Sequence, residues 1–235
     1  MSVQIHALSF DAKDPVGLAR FWAGVLGRDM GADGTSVLPD DDLGFILRFL
    51  PSDIEKELAN QIHFDLPSQT LEAQQAMVDR ALELGGRHID IGQKPEEEHV
   101  VLADPEGNEF CVIEPGNNFL AGTAVIGCLT SDGSQAVGYF WSKALDWPLV
   151  WDQDEETAIQ SPRGGSKISW GGPPYIPRAP KNRLHLDLVP SGDAEAEVER
   201  LIGLGAKRHE SGQAHTDGIE LADPDGNEFC ILTGR

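Results

Sequence analysis

The stretch LADPEGNEFCVI at 102–113 returns as LADPDGNEFCIL at 221–232, with nine of the twelve positions identical. Further pairs flank it in the same order. NQIHFDL at 60–66 matches NRLHLDL at 182–188, LELGGRH at 82–88 matches LIGLGAKRH at 201–209, and FWAGVLG at 21–27 matches FWSKALD at 140–146. The partners lie 119 to 122 residues apart throughout. Collinear matches at a near-constant offset mark a duplicated unit. PGNNFLAGT at 115–123 supplies Pro, Gly and Asn between patterned segments and marks the junction. The expected units are therefore residues 1–116 and 122–235.

Each copy reads as two successive helix-and-strand modules. Val3 to Phe10 patterns as a strand, and Asp14-Pro15 then opens a helix, Asp as N-cap and Pro in the first turn. Leu18, Phe21, Trp22, Val25 and Leu26 recur at helical spacing, and Gly27 is a suitable stop. Short strands are expected near 28–33, 35–39 and 44–50. A second unit starts at His63 to Leu66, with a helix over 70–84 and strands near 87–91, 99–103 and 109–114. The second copy repeats the order: strand 123–130, helix 134–145, strands within 148–171, strand 183–189, helix 193–204 and three closing strands. The fold class is α+β, built from four βαβββ modules. The Asp-Pro-acid-Gly-Asn stretches suit hairpin turns, since Pro fits position i+1 and Gly takes positive φ.

Composition narrows the partners. Among 235 residues, 39 acids against 18 bases give a formal net charge of −21. Nucleic acid and anionic membrane surfaces are disfavoured, because both need a basic footprint. An apolar fraction of 40% is enough for a packed core. The opening MSVQIHALSF lacks a basic stretch followed by an apolar run, and no apolar run approaches the ~20 residues of a membrane span. Cys111, Cys128 and Cys230 are odd in number and widely spaced, which suits reduced thiols in a cytoplasm.

Helix-plus-three-strand modules, a His on the first strand of a module and the closing Asp-Pro-x-Gly-Asn hairpin together resemble the vicinal-oxygen-chelate superfamily. That group includes glyoxalase I, bleomycin-resistance proteins, extradiol dioxygenases and methylmalonyl-CoA epimerase; the nearest likeness is to glyoxalase-like domain proteins in tandem form. The resemblance implies that modules pair into cupped eight-stranded half-barrels, modules 1 and 2 forming one domain and modules 3 and 4 the other. It implies a divalent metal (Zn, Fe or Mn) or a small organic molecule in the cup. Carried over by position, metal ligands fall on His6 and His63 in the first strands and on Cys111, where the family usually has Glu. The fourth-strand position of module 1 falls within Leu47 to Phe49, where no acid stands and Arg48 is the polar residue. In the second copy Val125 replaces His6, His185 and Cys230 match His63 and Cys111, and Ile168, Ser169 and Trp170 again offer no acid.

Alternatives stay open at these positions. Two imidazoles and a thiolate can bind a metal with one position open. Asp65 alternates onto the face of His63 and could be a fourth ligand or orient an imidazole. The same residues could be hydrogen-bonded core, or contacts to a metal-free ligand. Arg48, Trp151, Trp170, Tyr175, His185 and Cys230 are candidate ligand contacts: aromatic side chains suit a planar guest, and Tyr175 on the Pro-rich 171–182 connection could cover the cup. Trp22 and Trp141 are read as core. Three functions remain: a small-molecule-binding protein, including sequestration of the bleomycin-resistance type; a metal-dependent lyase, isomerase or dioxygenase acting on adjacent oxygens; and a metal-free isomerase or inactive paralogue. The missing carboxylates weigh against the metal enzyme. Four modules supply two cups per chain, so either a monomer or a homodimer can carry a complete site.

Overall fold

A computed structural model describes residues 3–94, 96–179, 181–209 and 218–233. Module 1 comprises β1 (Val3–Ala12), α1 (Pro15–Leu26), β2 (Ser36–Val37) and β3 (Ile46–Pro51). Module 2 comprises β4 (Ile62–Pro67), α2 (Leu71–Glu83), β5 (Arg87–His88), β6 (Val100–Ala103) and β7 (Glu109–Ile113). Module 3 comprises β8 (Cys128–Ser131), α3 (Gln135–Leu145), β9 (Leu149–Gln153), β10 (Glu156–Gln160) and β11 (Lys167–Trp170). Module 4 comprises β12 (Leu184–Pro190), α4 (Ala194–Leu204), β13 (Lys207–Arg208), β14 (Gly218–Ala222) and β15 (Glu228–Leu232).

The helices form for the reasons their sequences advertise. The Asp14 carboxylate accepts from Gly17 N, Pro15 needs no donor in the first turn, and Gly27 closes α1 at φ 67. Ser134 caps α3 in the same way through Val137 N. The strand expected near 28–33 shrinks to a single bridge between Met30 and Val37. Asp33 takes the N–H groups of both Thr35 and Ser36, which folds this stretch into a tight turn. The strand expected from residue 123 starts only at Cys128.

Modules 1 and 2 do not share one sheet. Among the described residues the first sheet has seven strands, ordered β13-β14-β15-β12-β1-β3-β2, and the second has eight, ordered β5-β6-β7-β4-β8-β11-β10-β9. Module 1 is therefore joined to module 4, and module 2 to module 3. The seams are the antiparallel pairs β1–β12 and β4–β8. The expectation that modules 1 and 2 close one cup and modules 3 and 4 the other is corrected, and the reason is the packing of the helices. Trp22 of α1 meets Phe64 and Phe110 of module 2 edge-on at 4.9 and 5.0 Å between ring centroids, and lies tilted against Phe10 of its own module at 6.3 Å. The two modules of one copy thus face each other across a helix-lined core. Their first strands keep one edge each, and an unpaired edge needs a partner strand. The other copy supplies it.

The duplicated motifs meet in this core. Trp22 Nε1 donates to Asp104 Oδ2 at 3.1 Å, and Trp141 Nε1 donates to Asp223 Oδ2 at 3.1 Å. Asp104 also accepts from the N–H groups of Glu106 and Asn108 and from Asn108 Nδ2, which fixes the hairpin. FW and LADPxGN are thus two halves of one tie. Burial outweighs those hydrogen bonds and pushes the Asp104 carboxyl up to about 6. The folded state then holds this proton more tightly than the unfolded chain does. Its ionisation subtracts stability as pH rises from about 4 through 6, by roughly 3 kcal/mol when complete. Between those limits, the stability of the wild type relative to Asp104→Asn should fall as pH rises, measured by urea unfolding at each pH. A difference that is flat or rises with pH would contradict the assignment.

Candidate functional site

Residues paired across strands share a face, so the registers sort every candidate. In the second sheet one row runs Trp151–Ala158–Ser169–Thr130–His63, from β9 to β4. The adjacent row runs Cys128–Asp65–Cys111–Val101, from β8 to β6. Both rows lie opposite the helix-facing row of Leu129, Phe64 and Phe110. On this helix-free face His63, Asp65 and Cys111 converge, with one ligand atom from each within 4.8 Å of the others.

The three are held by short-range contacts. His63 Nε2 lies 3.6 Å from Asp65 Oδ1. Thr130 Oγ1 donates to Asp65 Oδ2 at 2.5 Å. Burial, then the charge of Asp65, raises the Cys111 thiol well above the usual range, and the thiol hydrogen bonds to Asp65. Cys128, on the other side of Asp65, is pushed up to about 12 by burial and the same carboxylate. Unless a metal ion binds them, both sulfurs are therefore held as thiols. His63 and Asp65 stay open at 33% and 17% side-chain exposure.

The junction between the copies covers part of this face. Leu120 is buried against Cys111, Cys128, Val101 and Ile113, with Phe119 packed alongside. Lys167 Nζ donates to Phe119 O and lies 4.4 Å from the centroid of its ring. Phe119 meets Trp151 edge-on at 6.4 Å. Trp151 remains 39% exposed.

The first sheet repeats the pattern. His185, Ser9 and Arg48 form one row, and Asp187 and Cys230 the next. His185 Nε2 lies 3.5 Å from Asp187 Oδ1, and Ser9 Oγ donates to Asp187 Oδ2 at 2.6 Å. Arg48 Nη1 also donates to Asp187 Oδ2, at 2.9 Å. Lys181 pairs with buried Asp11 at 2.6 Å. Burial lowers the His185 imidazole below its ordinary value, against the pull of Asp187.

The structure thus divides the expected residues. His63, Asp65 and Cys111 come together. His6 occupies a register irregularity of β1 between Ile5 and Ala7, in the other sheet, because module 1 pairs with module 4. Trp151 is on the same face as His63. Trp170 points to the helices instead, 2% exposed in the core, since it is one residue out of step with Ser169. Tyr175 is exposed on the connection before β12. His185, Arg48 and Cys230 line the first sheet's helix-free face. Thr130, Ser9 and Asp187 were not anticipated; the repeated H-x-D of HFDL and HLDL was the available signal for Asp187. A cavity of about 350 Å³ between Val3–Ile5, Asp42–Phe45 and Trp147 does not include the His63 cluster. Nor does one of about 180 Å³ beside Ile54–Gln61 and Ala179.

Two segments, 7–113 and 127–232, match the family described as Glyoxalase-like domain. No curated protein sequence matches the chain. Among solved structures, a V278E mutant of glyoxalase I from Zea mays superposes with TM-score 0.67 at 12% identity, covering 98% of this chain and 92% of that one. A putative dioxygenase from Bacillus subtilis superposes with TM-score 0.60 at 15% identity, covering 97% and 84%. At such identities the likeness is one of fold.

Proposed function

The chain belongs to the glyoxalase-like domain family, and from that premise we propose that it binds a small organic molecule on the helix-free face of the second sheet, where His63, Asp65 and Cys111 hold a divalent metal. The observation that carries this is the convergence of an imidazole nitrogen, a carboxylate oxygen and a sulfur within 4.8 Å. The donor set fits Zn²⁺ or Fe²⁺, whose ligands are drawn from these atoms and stand ~2.0–2.3 Å from the ion. Among the described residues Asp65 has no Lys or Arg ion-pair partner, so its charge is available to a cation. When bound, a metal supplies a Lewis acid that polarises oxygen atoms of a guest. Thr130 holds Oδ2 of Asp65 and leaves Oδ1 facing His63. Trp151 offers a flat apolar wall, and Phe119 with Leu120 keeps water from the Cys111 side.

One observation favours a second reading, metal-free sequestration: Asp65 already accepts from Thr130 and from the Cys111 thiol. Titration with Co²⁺ followed by visible absorption decides between them. One equivalent with a sulfur-to-metal band, lost by at least 100-fold in affinity in His63→Ala, is expected. Absence of binding, with Trp151 fluorescence still quenched by organic ligands, would establish the second reading. A single chain supplies both sheets, so a monomer is sufficient for binding. The described cysteines are free thiols, in keeping with a reducing cytoplasm.

A further inference from the structure

The two helix-free faces are built on one plan, and beside the central carboxylate they differ in charge. His63 and His185, Asp65 and Asp187, Cys111 and Cys230 are repeat equivalents. The hydroxyl that donates to the carboxylate is Thr130 in the second sheet and Ser9 in the first. The next strand over places Ser169 beside Thr130, and Arg48 beside Ser9. Ser169 is neutral and bonds to Thr130 and Cys128. Arg48 is a fixed cation, and it rests on Asp187, which is fully buried.

We propose that the residue at this position determines which face accepts a metal: Arg48 acts as a resident counter-ion that closes the first sheet to divalent cations, and Ser169 leaves the second sheet open. This rests on the metal site argued above. The physical basis is charge. A guanidinium bonded to the carboxylate neutralises the group that would attract the ion and repels the ion itself at close range. Each face also carries a cation held away from its central carboxylate, Lys181 on Asp11 in the first sheet and Lys167 on Phe119 in the second, so the difference rests on Arg48. Cys230 follows suit. Its sulfur lies over Gly218, 2.4 Å from where a Cβ would stand, and the first copy has His99 at that place. With a side chain there the sulfur could not take that position, and Cys111 instead joins His63 and Asp65.

The test moves the charge. Ser169→Arg should weaken Co²⁺ binding by at least 100-fold, and Ser169→Met, similar in length but uncharged, should hold affinity within about five-fold. Arg48→Met should add a second, weaker equivalent that disappears when His185→Ala is combined with it. Equal affinities in Ser169→Arg and Ser169→Met, or no added equivalent in Arg48→Met, would overturn the inference. Wild-type protein that binds no Co²⁺ would refute the metal site itself. Arg48→Met still decides the inference in that case, since a gained equivalent supports it and none sinks it.

Discussion

Trp22→Ala is expected to lower the unfolding free energy by about 3–5 kcal/mol, in the upper range for a core truncation. The indole is 1% exposed and ringed by Phe10, Phe21, Phe64 and Phe110, with centroids 4.9 to 6.3 Å away. It also satisfies Asp104, a carboxylate with no access to solvent. The substitution therefore opens a cavity and strips a buried acceptor of one donor. Trp22→Phe separates the two, because it keeps much of the ring and loses only the N–H; about 1–2 kcal/mol is expected. Urea unfolding followed by far-ultraviolet circular dichroism measures both. A loss below about 1 kcal/mol for Trp22→Ala would mean that this core does not hold modules 1 and 2 together.

Asp187→Ala is expected to cost a further amount of the same order, about 3 kcal/mol, near the low end for breaking a buried pair. Asp187 is fully buried and accepts from both Ser9 and Arg48. Removing it leaves the Ser9 hydroxyl inside without an acceptor and Arg48 without its ion pair. Arg48 is itself 29% exposed through its side chain, so solvent screens part of the loss. The double substitution Asp187→Leu with Arg48→Met should regain more than half of it, since two apolar side chains leave no charge stranded. Thermal unfolding of the three proteins checks this. A double variant no more stable than Asp187→Ala would show that the pair is not what stabilises the seam between modules 1 and 4.

The fold was largely legible because its marks are local. Asp14-Pro15, the apolar face from Leu18 to Leu26 and the Asp-Pro-acid-Gly-Asn turns each act over a few residues, and the repeat displays them twice. The partnership of modules was not legible. Strand-edge pairing between β1 and β12 joins residues nearly 180 positions apart, and neither strand's sequence names its neighbour. The misplacement of His6 follows directly from that. The proximity of His63, Asp65 and Cys111 was legible because all three lie in module 2, within a single copy. Thr130 and Ser9 come from the partnering module in each sheet, so no spacing within one copy could reveal them. Trp170 falls in the core for a smaller reason: strand parity turns on one residue, and the turn residues Pro162, Gly164 and Gly165 before β11 mark that a strand begins without fixing which face its first residue takes.

The most direct measurement is a crystal of the full chain soaked in zinc, with anomalous data collected at the zinc edge. One strong peak is predicted, bonded to His63, Asp65 and Cys111 at ~2.0–2.3 Å, with none between His185 and Asp187. A peak on the first sheet in its place, or a bare second sheet at saturating zinc, would contradict the account.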